Sequence, residues 1–149
     1  MKILRIVAAI VLVLHGLIHL MGTFAYLRIL EVQSLPYKTI FLGGRIDLGE
    51  LGTGVFGALW GVVAVGFVVA SIAMLTNRSW WRSALLAVTM LSLVVTILDS
   101  SLAFAGVVLN VVILLGLWLE WRNPAHSADR KSTRLNSSHP QQSRMPSSA

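Results

Sequence analysis

Four long apolar runs, separated by three polar interruptions, occupy most of this 149-residue chain. The first begins near Ile3 and lasts to about Leu27. The second, Leu51 to Leu75, carries no charge. The third covers about 82–98 and the fourth about 102–119. At ~1.5 Å per helical residue, a run of about 20 residues crosses the hydrocarbon layer of a bilayer. The pattern predicts an all-α fold, a four-helix transmembrane bundle with spans at about 5–27, 51–75, 82–98 and 102–119. These make one membrane domain over residues 1–122, followed by a tail over 123–149. The third run is short by itself and becomes adequate with the flanking Trp81 and Asp99 region.

The interruptions have distinct characters. Arg28 to Glu50 is the longest, with Pro36, Gly43-Gly44, three basic and three acidic residues. It reads as a structured loop in which Tyr37 and Ile40-Phe41-Leu42 dip into the interface. Thr76 to Arg82 is a short turn whose Trp80 and Trp81 suit the headgroup region. Asp99-Ser100-Ser101 is a tight connection whose side chains can cap the helix that follows. Trp118 and Trp121 flank the end of the fourth run as interfacial anchors. Lys2 and Arg5 ahead of an apolar stretch also fit a signal peptide. The length of the run, its two histidines and the lack of a clear cleavage site favour an uncleaved span.

Charge sets the orientation and removes some functions. Placing the N-terminus inside puts Lys2, Arg5, Arg78, Arg82 and Arg122 in the cytoplasm. Arg28, Lys38 and Arg45 then lie outside. The positive-inside rule favours this N-in/C-in arrangement. Only 12% of residues are charged, about half of what a soluble domain carries. The net charge of +6 owes much to the last 21 residues, DRKSTRLNSSHPQQSRMPSSA. That stretch, Asp129 to Ala149, is polar, Ser-rich and without helical periodicity. It resembles a translated sequencing adapter, with DRKSTRLNSSH and SRMPSSA as constant blocks and Pro140-Gln141-Gln142 at the variable index. Setting it aside removes four basic residues and one acidic residue, leaving +3. His139 then carries no function, and a nucleic-acid partner loses its support. The absence of cysteine excludes disulfides, thiolate metal sites and cysteine nucleophiles.

The candidate chemistry centres on His15-Gly16-Leu17-Ile18-His19-Leu20-Met21-Gly22. Ionisable residues at membrane depth are costly and are functional candidates by default. Helical spacing puts His15, His19, Thr23 and Tyr26 on one face of the first span. Thr89, Ser92, Thr96 and Asp99 form a second polar stripe on the third. Asn110 lies near the midplane of the fourth, at the depth of His15, and the two are expected to share a hydrogen bond. All three polar sets are expected to face the bundle interior. Gly54, Gly57, Gly61 and Ala64 recur at helical spacing in the second span, where small residues allow close helix approach. Intramolecular packing is the preferred reading of that stripe over a dedicated dimer motif.

Several functions remain open on these residues. A polar-lined route with a titratable group suits proton or small-solute handling. An accessory subunit would use the same residues only to fix helix packing. A metal- or haem-binding redox protein would use the two imidazoles. A metal lacks further ligands at that depth, and two histidines on one helix face cannot alone ligate both sides of a haem, though a homodimer could supply one from each subunit. No metal and no cofactor is therefore assigned. No GxSxG elbow or GxxxxGK[ST] loop is present, so enzymatic activity is disfavoured. The expected partner is the lipid bilayer, with a homo-oligomer or a membrane partner left open.

LHGLIHLMG in the first span, with Asp99-Ser100-Ser101 and Gly106-Val107-Val108-Leu109-Asn110-Val111-Val112-Ile113-Leu114, resembles a group of small bacterial four-helix integral membrane proteins of uncharacterised function. Their first span carries HGxxHxxG. The resemblance implies four helices and the bacterial cytoplasmic membrane as a multi-pass location. It implies no activity. A looser likeness in architecture links the chain to the DoxX-like four-helix proteins.

Overall fold

The computed structural model describes residues 2–122, with side chains from Ile3 onward. The tail reading over 123–149, with its adapter-like stretch and His139, lies outside the described residues. So does the Lys2 side chain.

Four helices follow from the four apolar runs: α1 (Lys2–Tyr26), α2 (Gly49–Leu75), α3 (Trp81–Leu98) and α4 (Ser100–Arg122). All four are long and apolar enough to cross a membrane. Apolar side chains such as Ile10, Val62, Val65, Val94 and Leu115 point outward from them. Lipid solvates such a surface, and a helix suits it because every backbone bond is made within the segment.

Neither α1 nor α2 ends on glycine. Arg28 adopts a left-handed conformation (φ 55°), Ile29 N–H donates to Phe24 O at 2.9 Å and Arg28 N–H to Ala25 O at 3.1 Å. Asn77 plays the same part after α2 (φ 53°), with Arg78 N–H on Ala73 O at 2.9 Å. Both ends are Schellman motifs that satisfy otherwise orphaned carbonyls. Arg5 reaches Asn77 with a hydrogen bond, which ties the start of α1 to the α2–α3 turn.

The first loop folds back over the other end of the bundle. Strands β1 (Ile40–Phe41) and β2 (Ile46–Asp47) pair antiparallel, Ile40 opposite Asp47. Gly43 and Gly44 make the turn between them with φ of 62° and 95°, a region that glycine enters without a Cβ clash. The turn drives Phe41 inward, where it is buried against Tyr26 (ring centroids 5.5 Å) and Phe56 (4.7 Å). Arg28 pairs with Glu50 at 3.1 Å on the surface and stacks over Tyr37 at 4.0 Å. A cavity of about 540 Å³ opens within this loop, lined among others by Arg28, Glu31, Leu35 and Tyr37.

Close packing joins α2 to both α1 and α3. A Cβ added to Gly57 would meet Tyr26 Cβ at 2.9 Å, and one on Gly61 would meet Thr23 Oγ1 at 3.3 Å. A Cβ on Gly16 of α1 would meet Ala64 O at 3.0 Å, and Gly22 lies directly beneath the Trp60 ring. On its other side α2 sets Gly66 against Val88 of α3. Gly54 has open space in front of it. Most of α4 is accessible, and Asn110 and Leu117 are its only buried residues among those described. The helix from Trp118 onward belongs to a second unit, within which Arg122 stacks on Trp118 at 4.2 Å.

Candidate functional site

Two buried polar clusters lie between the helices. The first joins the middle of α1 and α4 to the C-terminal half of α3. His15 Nε2 and Asn110 Oδ1 share a hydrogen bond at 3.1 Å, and Asn110 Nδ2 donates to Thr96 Oγ1 at 3.1 Å. The Thr96 hydroxyl donates to Ser92 O at 2.8 Å. Ser92 Oγ and His19 Nε2 share a hydrogen bond at 2.8 Å, and the two histidine rings meet edge to face at 4.7 Å. His15, Asn110, Thr96, Ser92 and His19, each of them buried, thus form a ring in which the Thr96–Ser92 link runs through a backbone carbonyl and the His15–His19 link is a ring contact.

Aromatic side chains of α2 wall this ring. Phe67 lies 4.8 Å from His15 and stacks nearly parallel to His19 at 5.9 Å. Trp60 lies 4.8 Å from His19. In this buried, aromatic surround an unmade hydrogen bond costs its full desolvation. Two buried atoms here have no hydrogen-bond partner among the described residues, His19 Nδ1 and Trp60 Nε1.

The second cluster closes the loop end. Tyr26 OH donates to Asp99 Oδ2, and both residues are fully buried. Lys38 Nζ lies 2.5 Å from Asp99 Oδ1 and donates to Ser101 Oγ at 3.3 Å. The Asp99 side chain therefore does not cap α4. Its backbone carbonyl does so, accepting from Leu102 and Ala103 N–H at 2.9 Å. A buried carboxylate needs a counter-charge more than a cap, because an unpaired charge in an apolar site is far costlier than an exposed helix end.

A common register links the clusters. His19–Ser92 and Tyr26–Asp99 are both 73 positions apart in sequence. Moving seven residues along α1 and seven along α3 reproduces the contact, so the two helices run parallel. Seven residues are two turns, so the rungs stand ~10.5 Å apart. Gly22 and Trp60 fill the level between them.

Thr23 and Thr89 stand outside both clusters. Each bonds its own helix, Thr23 to His19 O at 3.4 Å and Thr89 to Leu85 O at 2.6 Å, a common resolution for threonine in a membrane helix. Trp60 and Phe67, to which the sequence pattern assigned no role, wall the first cluster, and Lys38 and Ser101, expected as a loop charge and a capping residue, complete the second. Trp60 left a trace as a large side chain at the depth where α1 has Gly22. Among the described residues no group of three or more His, Asp or Glu gathers as a metal site. No protein family, curated protein or solved structure matches this chain.

Proposed function

We propose that this chain is a small multi-pass membrane protein that handles protons through His19 and the polar ring around it. One observation carries the reading. His19 is 1% exposed, is bonded through one ring nitrogen and holds the other unpartnered among the described residues. A ring that served packing alone would gain from satisfying both nitrogens, since an orphaned buried group costs ~1–3 kcal/mol. The two nitrogens of an imidazole can take a proton on one side and release it on the other. The bacterial cytoplasmic membrane and the N-in/C-in orientation belong to the same proposal. They rest on the charge distribution and on the resemblance carried by LHGLIHLMG.

A second reading has its own support. Around the rest of the ring His15 bonds Asn110, Asn110 bonds Thr96 and Thr96 bonds the Ser92 backbone carbonyl, as in a clasp that only holds helices together. Flux separates the two. Purified protein in liposomes containing a pH-sensitive dye, driven by a potassium diffusion potential, should acidify the lumen faster than empty liposomes. His19→Ala should lose that excess while keeping its helical content and monodispersity. A wild-type rate equal to that of empty liposomes would leave the packing clasp as the better account.

A further inference from the structure

Lys38 seats its ammonium in a receptor supplied largely by other elements. The Asp99 carboxylate at the end of α3 is 2.5 Å from Nζ, and Ser101 Oγ at the start of α4 accepts from it at 3.3 Å. The Phe41 ring lies 5.3 Å from the nitrogen. Tyr26 of α1 donates to the second carboxylate oxygen, which orients the group independently of any ammonium. A carboxylate, a hydroxyl and an aromatic face recognise a primary ammonium by its charge, its N–H donors and its attraction to the π cloud. The Lys38 side chain is 24% exposed, whereas Asp99 is wholly buried. The receptor therefore opens toward the loop end, and its occupant arrives on a flexible stem from outside it.

We propose that Asp99, Tyr26 and Ser101 form a binding site for small primary ammonium ions, with Lys38 as its tethered occupant. The site goes beyond the proton reading and makes no use of His19. A free amine competes with a tether whose effective concentration is on the order of millimolar, so it has to be supplied well above that range. Removing Lys38 lowers the concentration needed.

Limited proteolysis of the full chain in phosphatidylcholine nanodiscs tests this. Trypsin cuts after a lysine that has left its ion pair. Relative to cleavage after the exposed Arg45 in the same digest, which corrects for ethylammonium held in trypsin's own lysine pocket, ethylammonium chloride should quicken cleavage after Lys38 several-fold, and tetramethylammonium chloride, which has no N–H donor, should not at equal ionic strength. Quicker cleavage in nanodiscs containing phosphatidylethanolamine, without added amine, would identify a lipid headgroup as the source of the ammonium. A response to the soluble ion alone would identify a free amine. For Lys38→Ala, ethylammonium should raise the melting temperature where tetramethylammonium does not, and Asp99→Asn in that background should abolish the rise. An equal Lys38-to-Arg45 cleavage ratio for the wild type in both salts and both lipids overturns the proposal, whether or not the variants fold.

Discussion

Asn110 is expected to hold α4 to the rest of the bundle. It is fully buried, one of only two buried residues on that helix among those described, and it bonds two other helices at once. Interhelical hydrogen bonds in membranes average ~0.6 kcal/mol and reach ~1.7, so two bonds contribute about 1–3 kcal/mol. The same loss counted from His15, left with a buried nitrogen unbonded, is ~1–3 kcal/mol. The two figures describe one effect and are not summed. Asn110→Ala should therefore destabilise by about 1–3 kcal/mol. Val111→Ala, at an outward-facing position beside it, should stay within ~0.5 kcal/mol. Reversible unfolding in mixed micelles, followed by the fluorescence of the five tryptophans, measures both. A double-mutant cycle with His15→Ala isolates the single bond and should return a coupling of ~0.6–1.7 kcal/mol. If Asn110→Ala matches Val111→Ala, or the coupling falls within ~0.3 kcal/mol of zero, the polar ring does not secure α4.

The small-residue stripe and the orientation make two further predictions. Gly57→Ala should destabilise by about 1–3 kcal/mol, because its new methyl would press on Tyr26 and Leu27 in a packed seam, while Gly54→Ala has open space and should gain ~0.5–1 kcal/mol from helix propensity; the same micelle unfolding compares them, and equal effects would contradict the packing described. The cysteine-free chain also suits single-cysteine mapping: in whole cells a membrane-impermeant maleimide should label Arg45→Cys and spare Arg78→Cys, and the reverse pattern would invert the orientation.

The sequence carried the polar stripes well and their partners unevenly. Helical spacing alone put His15 with His19 and Ser92 with Thr96, since a 3.6-residue period decides which side chains share a face. Equal depth brought His15 to Asn110, because a buried polar group in lipid has few other places to bond. Asp99 was harder. Helical spacing put it at the end of the polar stripe on α3, and the α1–α3 register then pairs it with Tyr26, the last residue of the stripe on α1. Its side chain also left the capping role to its backbone and took Lys38 instead. No periodicity connects a loop lysine with a carboxylate more than 60 residues away.

The four helices were determined by the sequence alone. Runs of that length and apolarity can satisfy their backbone in lipid only as helices, whatever their neighbours do. Which helices meet, and at what register, was decided by tertiary packing. Gly22 beneath Trp60 and Gly57 against Tyr26 fix the slide of α1 on α2, and the fold of the first loop delivers Phe41 and Lys38 to the end of the bundle. Those contacts depend on two surfaces fitting together, and neither surface records the shape of the other.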